Sequence, residues 1–251
     1  MGAFFSASVR ASQHTVMTSH VVNPRHAIQT FACSSDDDPA AQAWSDWSLV
    51  ANAVFQASKI TFDCDAEFIN VLPGDHYRLL GGLFRCLHPK NLVDVGTAQG
   101  LSARAMLDCT DFDSKTVTFD VIPYDDKEAF PITYVTQEDF DGRLTQYLED
   151  LANPSVFMKY LPVLNQADFI MLDGPKDGQF EERVLELLAH HLQSQKEGKR
   201  RFLFLDDIHF QNMIVNWRRI ASPKIDLTSF GHFSGSGLVD VTEGLQLLPV
   251  A

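Results

Sequence analysis

Apolar side chains recur at three- and four-residue spacing over residues 40–57 (Trp44, Trp47, Val50, Ala51, Val54) and 75–87 (Tyr77, Leu80, Leu83, Phe84, Leu87). That spacing is the mark of amphipathic helices. Beyond residue 88 the pattern changes. Short apolar runs bounded by turn residues, at 91–95, 116–122, 168–172 and 202–205, predict buried strands, and a weaker run at 132–135 predicts another. Helical periods return over 179–192, with Phe180, Val184, Leu187, Leu188 and Leu192 on one face, and over 209–220. Strands that alternate with helices imply crossover units and a parallel sheet covered on both faces. The tail departs from this: 225–230 and 237–241 flank a Gly- and Ser-rich connection and read as an antiparallel pair. The predicted fold is therefore α/β, a doubly wound, mostly parallel sheet of seven strands whose last strand is reversed, preceded by N-terminal helices. Residues 1–38 read as a leader or arm and 39–251 as one domain, a helical cap over 39–88 on a core over 89–251. Trp44 and Trp47 permit a pocket cover, a homodimer contact or plain core packing, the commonest role for such a stripe.

Composition narrows the partners. The chain has 251 residues, 45% hydrophobic and 21% charged, with 20 Lys and Arg against 33 Asp and Glu. That is a globular balance. No apolar run approaches the roughly 18 residues of a membrane span. A net charge of −13 repels phosphate backbones, which argues against nucleic acid and for a small-molecule substrate. The cysteines, Cys33, Cys64, Cys86 and Cys109, are scattered without a C-x-x-C pair, as in reduced intracellular proteins. The first 35 residues hold no acid, nine Ser or Thr, Arg10 and Arg25. This composition fits an organellar transit peptide or, in a cytoplasmic protein, an N-terminal arm; Met1 to Ser6 also matches a myristoylation pattern.

In an open parallel sheet, ligands sit beyond the carboxyl ends of the strands. After the first strand runs Asp94-Val95-Gly96-Thr97-Ala98-Gln99-Gly100-Leu101-Ser102. Gly96 suits a sharp turn, Gly100 permits close approach to a ligand, and the helix that follows aims its N–H groups at it. Ala98 and Leu101 stand where a dinucleotide fingerprint needs glycine. Asp120, at the end of the second strand, is placed to accept hydrogen bonds from ribose hydroxyls. Glu138, beside Asp139, follows the weaker run and is a candidate for adenine. Asp173 ends the fourth strand with Lys176 three residues on, and Asp206-Asp207 end the fifth. If those strands are neighbours, about 4.8 Å apart, their carboxylates converge. Three carboxylates repel unless a cation intervenes, and an all-oxygen set favours a hard divalent ion such as Mg²⁺, with Mn²⁺ or Ca²⁺ as alternatives.

The D-x-G-x-x-x-G spacing resembles motif I of class I, Rossmann-like, S-adenosylmethionine-dependent methyltransferases. The D-x-x-K followed by an acidic pair resembles their metal-dependent catechol O-methyltransferase group. That resemblance implies Asp94, Gly96, Thr97, Gly100, Ser102, Asp120, Glu138 and Asp173 as cofactor contacts. It further implies Asp173, Asp206 and Asp207 as metal ligands, with Lys176 as a general base whose pKa the cation depresses. Asp207 departs from the Asn usual in that group. His209 and His232 are further substrate-site candidates. The implied activity is methyl transfer from S-adenosylmethionine to a small hydroxylated acceptor. A metal-independent O- or N-methyltransferase and a noncatalytic S-adenosylmethionine-binding protein are the alternatives.

Overall fold

The computed structural model describes residues 38–249 apart from Asp141 and Gln211, so the expectations for the leader fall outside the described residues. Seven strands form one sheet: β1 (Asn91–Val95), β2 (Lys115–Asp120), β3 (Leu144–Leu148), β4 (Phe169–Leu172), β5 (Phe202–Asp206), β6 (Lys224–Asp226) and β7 (Ser236–Asp240). Their order is β3-β2-β1-β4-β5-β7-β6; the first five run parallel, and β7 runs antiparallel to both its neighbours. This is the doubly wound, mostly parallel sheet with a reversed last-sequence strand that the sequence pattern predicts. Among the described residues, seven α-helices and a 3₁₀ turn (Glu67–Asn70) accompany it: α1 (Pro39–Gln42), α2 (Trp47–Ala57), α3 (Tyr77–Leu87), α4 (Leu101–Cys109), α5 (Pro154–Gln166), α6 (Gln179–His191) and α7 (Met213–Arg219). Among the described residues no helix is long and apolar enough to cross a membrane.

Alternating side chains of the central strands divide the core in two. Phe169, Met171, Phe202 and Phe204 face α2, α3 and α4, whereas Ile170, Leu172, Leu203 and Leu205 face α5 and α6. Central strands covered on both faces read as unbroken apolar runs, which is why β1, β4 and β5 were predictable within a residue or two. Trp44 lies in the first cluster, its ring 6.3 Å from that of Phe202, so core packing accounts for it.

The helix expected over 40–57 is split into α1 and α2, the strand expected over 225–230 is only Lys224–Asp226, and two further elements differ from expectation. Residues 132–135 form no strand; Val135 is buried because it packs on Gly100, and the third strand is β3, twelve residues later. As an edge strand paired only with β2, β3 carries the mixed sequence Leu-Thr-Gln-Tyr-Leu, which lacks the signature of a buried strand. The second is α5, which begins at Pro154 with the Asn153 side chain as its cap and contains Pro162. A proline inside a helix obscures its reading from sequence.

Candidate active site

Register sets the edge of the sheet. Leu172 lies opposite both Val95 and Leu205, so Asp173, Gly96 and Asp206 emerge at one level. Gly96, at φ 111°, accepts a close approach that no side chain could share: a Cβ there would lie 1.9 Å from the Asp173 carbonyl oxygen. Below this turn Asp94 is fully buried. Its Oδ2 accepts hydrogen bonds from Ser102 Oγ at 2.9 Å and Thr118 Oγ1 at 3.1 Å, while Oδ1 has no hydrogen-bond partner. Burial pushes this carboxyl up to about 7. The Thr97 hydroxyl pairs with Thr118 at 2.7 Å, so Thr97 and Ser102 both serve to orient Asp94. At the end of β2 the Asp120 carboxylate is fixed by two backbone N–H donors, Ala98 at 2.9 Å and Ile122 at 3.0 Å.

Of these, Gly96, Ala98, Asp120 and Asp173 line a cavity of about 520 Å³ together with Ile122, Leu151 and Pro175, whereas Asp94, Thr97, Gly100 and Ser102 are not among its lining residues. Its volume suits a nucleoside-sized ligand. Glu138 is exposed and is not among the lining residues, so its expected place near adenine is corrected: the acids that reach the cavity, Glu149 and Asp150, follow β3. Asp139 instead pairs with Arg104 at 2.9 Å.

Beside the cavity the strand-end acids converge, and Asp173, Asp206 and Asp207 present carboxylate oxygens within 4.8 Å of one another. Lys176 Nζ stands among them, 2.6 Å from Asp173 Oδ1, 3.2 Å from Asp207 Oδ2 and 3.5 Å from Asp206 Oδ2. Burial alone would favour neutral lysine, yet Asp173, Asp206 and Asp207 outweigh it and raise the ammonium pKa above its ordinary value. Asp173 is raised by burial in spite of that ammonium. Asp206 goes the other way: burial opposes its charge, but His76, His232 and Lys176 hold it well below the usual carboxylate range.

The loop that delivers Lys176 is built on Glu181, a fully buried residue sequence reasoning missed. Its carboxylate accepts from the backbone N–H of Lys176 at 2.8 Å and of Gly178 at 3.1 Å, which supports the left-handed φ of 60° at Lys176. The signal was available as an acid three residues into a helix that follows glycine. His76, just before α3, was also missed. It is 2% exposed, its Nδ1 is 3.1 Å from Asp206 Oδ1, and nothing in its local sequence announces a site. His232 does reach the cluster, with Nδ1 3.2 Å from Asp207 Oδ1 and 3.5 Å from Asp206 Oδ1, and those carboxylates push it up to about 10. A backbone bridge between Gly74 and His232 stitches the two histidine-bearing segments together. His209 is not brought in: its Nε2 pairs with Asp226 Oδ2 at 2.6 Å.

No protein-family model and no curated protein matches the chain. Among solved structures, a Staphylococcus aureus protein assigned as a caffeoyl-CoA O-methyltransferase aligns at 14% identity and TM-score 0.45, over 68% of this chain and 82% of that one. A Geobacter sulfurreducens methyltransferase aligns at 16% identity and TM-score 0.44, over 90% of this chain and 100% of its own. MycE of the mycinamycin pathway, solved with Mg and SAH, aligns at 12% identity and TM-score 0.36, over 50% of this chain and 29% of its own.

Proposed function

We propose that the chain is an S-adenosylmethionine-dependent O-methyltransferase that acts on a small hydroxylated acceptor with the help of a divalent cation at Asp173, Asp206 and Asp207. The observation that carries this reading is the meeting of two features at one edge of the sheet: a nucleoside-sized cavity under the Gly96 turn, and three carboxylates that share Asp173 with it.

The cofactor fits the residues present. The unpartnered Asp94 Oδ1 is a buried acceptor that suits the ammonium of its amino-acid end, and the Asp120 carboxylate, held still by Ala98 and Ile122, accepts from ribose hydroxyls. When bound, the cofactor supplies an electrophilic methyl group on sulfonium sulfur, and the cation supplies Lewis acidity that lowers the pKa of an acceptor hydroxyl. The protein's part is positional and electrostatic. Lys176, held protonated by three acids, donates to the acceptor oxygen and stabilises its anionic form. It becomes a proton acceptor only when a divalent charge takes over those carboxylates. Backbone packing of the β1 and β4 turns keeps the donor cavity and the acceptor side in fixed relation.

The test is calorimetric titration of S-adenosylhomocysteine, with methyl transfer to a panel of catechols and vicinal diols, for wild type, Asp173→Asn and Lys176→Ala. The reading expects cofactor binding in all three and turnover in wild type alone. Absence of cofactor binding by wild type overturns it, and turnover undiminished by EDTA transfers support to a metal-independent enzyme.

A further inference from the structure

Resting on that reading of the sheet edge, we propose that His76, Asp206 and His232 form a nitrogen-containing metal site that selects a transition ion such as Mn²⁺ or Zn²⁺ over Mg²⁺. The two oxygens of Asp206 face different neighbours. Oδ2 faces the Lys176 ammonium, whereas Oδ1 faces His76 Nδ1 at 3.1 Å and His232 Nδ1 at 3.5 Å. The three residues offer ligand atoms within 4.8 Å of one another. Donors about 2.1 Å from one ion stand about 3.0–3.4 Å apart in octahedral or tetrahedral geometry, close to the two separations from Asp206 Oδ1.

Unmet polarity points to the same place. His76 is 2% exposed and Asp206 4% exposed, yet neither ring nitrogen of His76 nor Asp206 Oδ1 has a hydrogen-bond partner. Asp75 Oδ1 also approaches His76 Nδ1, at 3.3 Å, again without hydrogen-bond alignment. His76 Nε2 has no partner and Nδ1 meets Asp206 and Asp75 only in ion-pair contacts, so a shared cation would satisfy imidazole and carboxylate at once. The Ser234 hydroxyl, which donates to Asp207, accepts from His232 Nδ1 at 2.8 Å, a contact that a metal bound through that nitrogen displaces along with the proton. Two imidazoles with one carboxylate suit Mn²⁺, Fe²⁺ or Zn²⁺ and leave positions open for adjacent acceptor oxygens; Mg²⁺ prefers oxygen throughout.

The experiment uses the full chain and metal salts alone. Pulsed electron paramagnetic resonance of wild type loaded with Mn²⁺ is expected to show imidazole nitrogen coupling, reduced in His76→Ala and in His232→Ala. Calorimetry is expected to show Mn²⁺ and Zn²⁺ bound more tightly than Mg²⁺, with each variant losing about tenfold or more, the scale on which even outer partners of ligands matter. The wild-type spectrum and His232→Ala, a change in a partly exposed loop, carry the test should His76→Ala fail to fold. Bound Mn²⁺ without nitrogen coupling, or no binding of Mn²⁺ or Zn²⁺, overturns the proposal. Methyl transfer measured in Mg²⁺ separates the two readings: transfer without nitrogen coupling sinks this inference alone, and coupling without transfer on the acceptor panel sinks the proposed function alone.

Discussion

The two edges of the sheet are built on opposite rules. At the amino ends of the strands, charge is matched. Asp168 accepts from the N–H groups of Lys90 and Asn91, Lys90 pairs with Asp111 and Asp113, and Arg200 pairs with Asp46 and Asp240. Arg201, 1% exposed, donates to the carbonyls of Asn165, Ala167 and Gln193. At the carboxyl ends, acids crowd together, Asp94 Oδ1 and Asp206 Oδ1 lack partners, and non-glycine residues Ala98, Lys176 and Asp207 take left-handed backbone. Both edges carry cavities, about 550 Å³ at the amino side and about 520 Å³ at the carboxyl side, so volume does not distinguish them. Left-handed backbone at His88 and the unpartnered Arg143 Nε show that strain and unmet polarity are not confined to one side either; what sets the carboxyl edge apart is the convergence of Asp173, Asp206 and Asp207.

The sharpest way to break this contrast is Asp173→Asn. Turnover should fall by about a thousandfold or more if the acid shares in cation and acceptor binding, while the melting temperature holds or rises because a buried like charge has gone. Arg201→Met should do the reverse. Three carbonyls lose a buried donor, costing about 3 kcal/mol or more in chemical denaturation, with turnover per folded molecule unchanged.

Asp94→Asn comes next and carries a pH signature. The folded carboxyl sits at about 7, against about 4 in an unfolded chain. Between those values the folded state keeps a proton that the unfolded state has released. This group's contribution to stability therefore declines as pH rises through the window and is fully lost above it. Affinity for a ligand ammonium runs the other way, growing as the carboxylate forms. Asn should flatten both profiles in thermal melts and cofactor titrations. The smallest effect belongs to His209→Ala: with a half-exposed pair to Asp226, turnover should stay within about twofold and stability within about 1 kcal/mol.

What the sequence made legible follows from how local each signal is. Asp94, Gly96, Asp120, Asp173 and Asp206 were readable because a buried parallel strand announces its own end, and a ligand site lies there. β3 and α5 were not, since an edge strand needs no apolar run and Pro162 masks its helix. His76 lies 130 residues from Asp206, and only the packing of α3 against the sheet brings them together. Glu181 was visible as a helix-start acid, but its grip on Lys176 depends on a loop conformation that no spacing encodes.

The backbone bridge from Gly74 to His232 has its own consequence. Two stretches of chain separated by most of the fold share a single hinge point, so neither imidazole can drift without tugging the other. A change that shifts one stretch has to be absorbed by the other, so paired substitutions near residues 74 and 232 are the expected trace wherever this corner of the fold is remodelled.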